Sequence, residues 1–456
     1  MQETKKTIIY IIAAVVLAAL AYITIPDRIT SEAFLDQGEL FFPDFTDPNT
    51  ATTLEVMDFD KATATTRPFK VTFKDGIWTI PSHHNYPADA KDRLAKTAAG
   101  VIDIKKDDFR SDNVSDHEAF GVIDPLDETA GIAGKGTRIT IKGKSDKVLA
   151  DFIIGNEVEG HRGLRFVRVP GQNRVYASRV DIDLSTRFED WIDTDLLQLQ
   201  KHQIEKLVLK DYSIDERTRR VEHRDNFILS RDGKTWKANK MPGGSVVDSA
   251  GMEEMLTTLD KLTIVGVRPK PEGISVSLTA NEKSQTISKS ERMSLQSKGF
   301  YFSRDGQLLS NEGELEVSMK KGVSYTLRFG EIAYGSGETV TSGKANSVQE
   351  KTGPAENRYL FVTTGFDVNR LPDKKPAKDS SFMNKPDSLW TDKDRGNSAA
   401  YNAYETWKRQ KKESEDFSKR LNARFAGWYY VISADSYEKL HMIRKVLVVK
   451  KKADEG

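Results

Sequence analysis

The sequence predicts an α+β protein made of two related mixed-sheet modules with helices packed on the sheets. One N-terminal transmembrane helix precedes them, and a helical insertion interrupts the second module. Three observations predict this. Apolar–polar alternation closed by Asp-Gly turns recurs along most of the 456 residues. A fixed succession of elements occurs twice. A single charge-free run stands at the start of a chain whose mean hydropathy is −0.54.

That run is Thr7 to Ile25, 19 residues long. As a helix it would extend about 28 Å, close to the hydrocarbon thickness of a bilayer. Lys5 and Lys6 precede it, whereas Glu32, Asp36 and Glu39 lie beyond it. The positive-inside rule then leaves the N-terminus in the cytoplasm. The expected location is the inner (cytoplasmic) membrane, single-pass, with the bulk of the chain on the periplasmic or extracytoplasmic side. A buried core helix is disfavoured because the run has no polar face. Cleavage as a signal peptide after Ala21 stays open, although Tyr22, Ile23 and Ile25 carry the apolar stretch past that point. Either way the bulk is exported.

Residues 31–66 read as a Thr/Pro/Asp-rich tether leading into a strand near Leu54–Phe59. Phe69–Phe73 and Ile77–Ile80 flank Asp75-Gly76 as a hairpin. Pro87 is expected to open a helix carrying Ala90, Leu94, Ala98, Val101 and Ile102 at the helical period. Strands follow at Thr137–Lys142, Lys147–Ile154, Leu164–Val169 and Arg174–Ser178, then a helix around Asp183–Asp193.

The succession then restarts. Ile204–Lys210 alternates, Phe227–Ser230 leads through Asp232-Gly233 to Trp236, and Met252, Met255, Leu256, Leu259 and Leu262 mark a helix. Leu315–Lys320 and Val323–Phe329 end in Gly330-Glu331, as Val148–Ile154 ends in Gly155-Asn156-Glu157. Arg358–Thr363 parallels Arg162–Val167. Trp236 lies 158 residues after Trp78 (236 − 78) and Gly330 lies 175 after Gly155 (330 − 155), which reads as an internal duplication. The expected divisions are an anchor at 1–30, a tether and first strand at 31–66, and repeat modules at 67–200 and 201–366. A charged helical insertion at 367–427 and a completion of the second module at 428–456 follow. Within the insertion, Asn397–Phe425 reads as a projecting helix or helical arm, packed at its ends and solvated in its middle.

The 69 Lys+Arg and 68 Asp+Glu leave a net charge of +1, which removes the basic surplus on which nucleic-acid binding rests. The absence of cysteine excludes disulfides, thiolate metal sites and cysteine nucleophiles. His83-His84 are adjacent and diverge in any regular element. Asp116-His117-Glu118 could close on one ion only through a contorted backbone. His161, His202, His223 and His441 have no metal-ligand spacing. Asp75-Gly76, Asp232-Gly233 and Asp305-Gly306 lack the ladder of a calcium loop and read as turns. Gly131–Thr137 lacks phosphate-loop spacing and runs into a strand. Trp78, Trp236 and Trp428 read as core anchors, and Lys450–Lys452 as a solvated tail. No catalytic, cofactor-binding or metal residue is assigned, and no cofactor is expected.

The segments FKDGIWTIPSHHNYPADAKDRL (73–94), FGVIDP (120–125), DFIIGNE (151–157) and RFVRVPGQNRVYAS (165–178) resemble the bacterial domain of unknown function 4340 family. So do GFYFSRDGQLLSNEGELEV (299–317), GVSYTLRFGE (322–331), RYLFV (358–362) and LNARFAGWYYVIS (421–433). The resemblance implies a membrane-anchored protein encoded beside permease and auxiliary components of ABC transporters, like those of gliding-motility systems. The expected function is therefore a non-catalytic envelope accessory of an ABC-type transport complex. Its expected partners are the membrane, through Thr7 to Ile25, and permease or auxiliary subunits, with the insertion as the partner-facing element. Two other readings remain: a ligand-binding or hydrolytic protein with a site between the modules, and a structural envelope protein.

Overall fold

The computed structural model describes residues 2–23, 36–61, 64–215, 218, 220–274, 287–303, 306–333, 356–371, 375 and 378–451. The side chains of 2–6, 8, 9 and 20–23 are excepted. It is α+β, with large antiparallel sheets and helices, and it divides into two compact units. Unit 1 comprises 1–69 and 93–184; unit 2 comprises 70–92 and 185–456.

Ahead of the sheets, Gln2–Ile23 is helical. Its described side chains from Tyr10 to Ala19 are all exposed. The expected span Thr7 to Ile25 extends past them: 20–23 have no described side chains, and 24 and 25 lie outside the described residues. Among the described residues, no helix is long and apolar enough to cross a membrane.

The first strands are β1 (Thr53–Asp60), β2 (Thr65–Lys74), β3 (Ile77–Ile80) and β4 (Tyr86–Pro87). Asp75 and Gly76 both take positive φ, 53° and 83°, which sets Lys74 opposite Ile77 in the tight hairpin that Asp-Gly favours. Pro87 does not open a helix. It closes β4 against Thr79, and the helix starts only at Lys91, running to Ile102 with Leu94, Thr97, Ala98 and Val101 buried. Then come β5 (Asp108–Ser111), β6 (Thr137–Lys142), β7 (Val148–Glu157), β8 (Leu164–Arg168) and β9 (Val175–Arg179).

The helix expected around Asp183–Asp193 is only a 3-10 turn, Phe188–Trp191. Side chains, one distant and one local, claim carbonyls that a helix would use: Thr97 Oγ1 donates to Asp183 O at 2.8 Å, and Trp191 Nε1 to Ser185 O at 2.9 Å.

Unit 2 holds β10 (Ile204–Asp215), β11 (Arg220–Asp232), β12 (Thr235–Ala238), β13 (Ser245–Val247) and β14 (Gly266–Pro269). A helix, Ser249–Asp260, precedes β14 and buries Met252, Met255, Leu256 and Leu259. After the helix Lys289–Gln296 come β15 (Phe300–Phe302), β16 (Leu308–Ser310), β17 (Glu314–Met319), β18 (Val323–Ile332) and β19 (Arg358–Phe366). The long helix Asp392–Ala426, β20 (Trp428–Ile432), the helix Ala434–Leu440 and β21 (Val448–Lys450) finish the unit.

The two large sheets share a strand order. In unit 1 neighbours run β1-β6-β7-β8-β9-β5; in unit 2 they run β10-β17-β18-β19-β20-β14. The chain visits both orders in the same sequence, and both break register at the same place, between Ile154 and Glu157 and between Phe329 and Ile332. Register also corrects one pairing. Val167 faces Ile154 and Leu360 faces Phe329, an offset of 193 (360 − 167), so the counterpart of Arg358 is Arg165 rather than Arg162. Both arginines donate to the carbonyl of the glycine at the break: Arg165 to Gly155 O at 2.7 Å, and Arg358 to Gly330 O at 3.3 Å.

The long helix is not a projecting arm. A capping box of Thr391 and Asp394 starts it, and Lys385 holds the Asp394 carboxyl well below the usual carboxylate range. Its expected solvated middle buries Ser414 and Ser418, and Thr364 Oγ1 donates to Ser418 O at 2.9 Å. Small side chains let the helix lie close to β19. Pairing of β20 with β19 stops at Leu360, and Asn422 acts as a strand surrogate further along. Its Oδ1 accepts from Thr364 N at 2.8 Å and its Nδ2 donates to Thr364 O at 2.8 Å. Asn422→Ala is expected to cost about 1 kcal/mol in urea unfolding, because water reaches this half-buried site and partly replaces the amide. An unchanged midpoint would remove Asn422 from the docking.

Candidate functional site

The residues singled out in the sequence do not converge. His83 is buried and stacks on Phe188 at 4.2 Å, while His84 is exposed with φ 59°. His117 Nε2 bonds the Asn173 carbonyl at 2.7 Å, in the loop before β9, whereas Asp116 accepts from Ser111 Oγ at 2.6 Å within its own loop, so the two serve different contacts. His161 lies by Glu159 O and His223 by Tyr212. His202 is exposed in the 3-10 turn before β10. His441 stacks on Tyr437, and burial pushes its pKa down despite Asp211 at 4.0 Å. Among the described residues, no group of three His, Asp or Glu could hold a metal ion.

Gly131–Thr137 is a structural lock: Gly136 N donates to Ile123 O at 2.9 Å as the chain enters β6. Gly233 and Gly306 take positive φ as turn residues, and Asp305 lies outside the described residues. Lys450 pairs with Ser245 in the β13–β21 ribbon; Lys452 lies outside the described residues. The three tryptophans are not core anchors. Trp78, Trp236 and Trp428 are half-buried, against Phe73, Arg231 and Tyr86, whereas the fully buried tryptophan is Trp191.

Two cavities in unit 2 gather polar groups instead. One, of about 600 Å³, lies where the β11–β12 hairpin meets β13 and the helix Ser249–Asp260. Trp236 lines it with Arg231 5.2 Å from its ring centroid, above an apolar floor that includes Met252 and Leu256. Lys234 and Lys237 add positive charge at its rim.

The second, of about 520 Å³, lies between the long helix and the β17–β18 pair. The 195–203 loop forms one wall. Asp195 Oδ1 accepts from Gln198 N at 2.8 Å and holds Gln198 at a positive φ of 51°. Gln203 Nε2 donates to Gln200 Oε1 at 3.0 Å. Arg424 of the long helix ties the loop down, donating to Asp193 Oδ2 at 2.9 Å and to Asp195 O at 3.2 Å. Burial raises the pKa of Asp195. Tyr325 stands in the wall opposite. Its side chain is fully buried and its hydroxyl has no hydrogen-bond partner among the described residues. Burial drives the phenol pKa well above its ordinary value, so it is neutral and able to donate. A buried hydroxyl without a partner costs about 1–3 kcal/mol, so a group that reached it would recover that cost. Sequence reading missed it, because Tyr325 appears there only as one inward position of an alternating strand.

Residues 78–284 match the family model of a Domain of unknown function (DUF4340). The matched stretch runs from β3 past β14. No curated protein and no solved structure matches the chain.

Proposed function

We propose that this chain is a membrane-tethered, non-catalytic accessory of an ABC-type transport complex, with its two β-rich units outside the cytoplasm. The observation that carries the tether is the helix Gln2–Ile23, which exposes Tyr10, Ile11, Ile12, Val15, Val16 and Leu17 at 51–72%. Water-facing apolar side chains in such density call for a lipid or protein cover. The uncharged run Thr7 to Ile25, with Lys5 and Lys6 before it, has the length and flanks of a bilayer span. The transporter partnership draws its support from what the family resemblance implies; the match over 78–284 bears on the domain family and not on the partner.

The partner-facing surface is assigned to the solvent face of the long helix, where Lys408, Arg409, Lys412, Lys419 and Arg420 are exposed. Deleting the insertion would strip Leu421 and Phe425 from the core, so charge reversal is the cleaner probe. The full chain is expected to sediment with membranes and resist alkaline carbonate, and a variant lacking 1–30 to stay in the supernatant. Lys408→Glu/Lys412→Glu/Lys419→Glu should deplete a permease from mild-detergent purifications. A full chain recovered in the soluble fraction would end the tether reading. Undiminished permease recovery would end the assignment of this face.

A further inference from the structure

We propose that the cavity between the long helix and β17–β18 is a binding site for an uncharged saccharide. Four features of its wall select that chemistry. The first is Tyr325, a lining residue whose hydroxyl is buried and unbonded among the described residues, so that a small shift of this wall offers a ligand a donor already stripped of water. The second is the set Gln198, Gln200 and Gln203. An amide both donates and accepts, as every sugar hydroxyl does, so neighbouring amides can grip vicinal hydroxyls. The Asp195 and Arg424 contacts hold the loop that carries these glutamines in place before any ligand arrives.

The third is charge. Lys321 and Arg409 are offset by Asp195 and Glu413, so two positive and two negative groups leave no net field to attract an anion or a cation. The fourth is the floor, where Met319, Val323 and Phe417 give an apolar surface for the C–H face of a pyranose ring. An acyl chain would leave the amides and Tyr325 unsatisfied, and a nucleotide would find no surplus of positive charge. The volume, about 520 Å³, lies within the usual range for small-ligand sites of about 300–1,000 Å³.

The site does not depend on the transporter partnership. The full-length chain, kept in a detergent without a sugar headgroup, would be titrated with maltotriose, cellotriose and chitotriose by calorimetry. Saturable binding of at least one is expected below about 10 mM, where binding is still worth about 3 kcal/mol. Tyr325→Phe should weaken that binding by about tenfold while leaving the thermal midpoint unchanged or higher, since it removes an unsatisfied hydroxyl. Gln198→Ala, at an exposed position that does not support the core, should weaken it as well. The proposal is overturned if none of the three trisaccharides saturates the wild-type chain, or if both variants bind as tightly as wild type. Binding of phosphocholine or inorganic phosphate in place of the sugars would overturn it too.

Discussion

Gly330→Ala is expected to destabilise unit 2 by about 3 kcal/mol or more, near the top of the range for overpacking. A β-carbon there would lie 2.1 Å from the Lys298 carbonyl oxygen and 2.8 Å from Cζ of Phe300. The first obstacle is backbone, and it is anchored, because Glu331 N donates to that same carbonyl at 3.0 Å. The second is fully buried and packs on Phe361 and Tyr429 at centroid distances of 5.3 and 6.0 Å. Neither can retreat without breaking the bond or the aromatic cluster. Gly155→Ala repeats the experiment in unit 1, where the β-carbon would meet Phe120 O at 2.3 Å and Val122 Cγ1 at 2.7 Å. Gly396→Ala, in the long helix with nothing within 4 Å of its β-carbon, should stabilise by about 0.5–1 kcal/mol and so controls for a general effect of alanine. Urea unfolding of the three variants is the measurement. A Gly330→Ala midpoint equal to wild type would show that the 298–300 segment yields freely.

The matching pair of glycines also explains why the two sheets share this local shape. Each sits where strand register breaks, and each lets the segment before the next core strand lie directly on the sheet. Gly121 and Gly299, at φ 71° and 81°, turn those two segments inward. In both places a side-chain amide stands close to where a β-carbon would be, Asn156 in unit 1 and Asn311 in unit 2. Strand, glycine break and inturned segment therefore form one packing device used twice.

This device was legible in the sequence as Gly155-Asn156 and Gly330-Glu331 closing alternating strands, because alternation and glycine report local geometry. The hairpins were legible for the same reason. What stayed hidden depended on tertiary partners. Leu184, Phe188 and Trp191 keep helical spacing, yet the carbonyls nearby are taken by Thr97 and Trp191. Ser414 and Ser418 read as solvated, yet with Trp407, Leu421 and Phe425 they make the buried face of the long helix once small polar residues are allowed inside. The cavity at Tyr325 joins three segments distant in sequence, and nothing in any one of them signals the others. Pro87 misled through a rule that is only statistical: it favours the first helical turn, but here an edge strand uses its fixed φ.

Lys270→Met is expected to stabilise the protein by about 2 kcal/mol at neutral pH, the scale on which apolar replacements of buried charged groups act. Lys270 is 6% exposed. Its Nζ donates to Phe425 O at 3.0 Å and lies 3.6 Å from the ring centroid of Phe361. Burial, aided by the like charge of Arg328, pushes its pKa well below the usual lysine value, and no carboxylate among the described residues pairs with it. Methionine matches the chain length, keeps the contact with Phe361 and strands no acceptor, because Gly427 N also donates to Phe425 O. The pH dependence gives the sharper test. With the folded pKa depressed, the unfolded chain binds the extra proton first, so the wild type loses stability as pH falls below the ordinary lysine value of about 10.4. The advantage of Lys270→Met should therefore be greatest near neutral pH and shrink toward zero as pH approaches 10. Taking the difference between variant and wild type at each pH cancels the other titrating groups. An advantage that stayed constant from pH 7 to 10 would mean that Lys270 keeps its proton through cation–π and carbonyl contacts. The aromatic cluster of unit 2 would then be a host for charge, as the carbonyls of Val122 and Gln172 are for the buried Arg168 in unit 1.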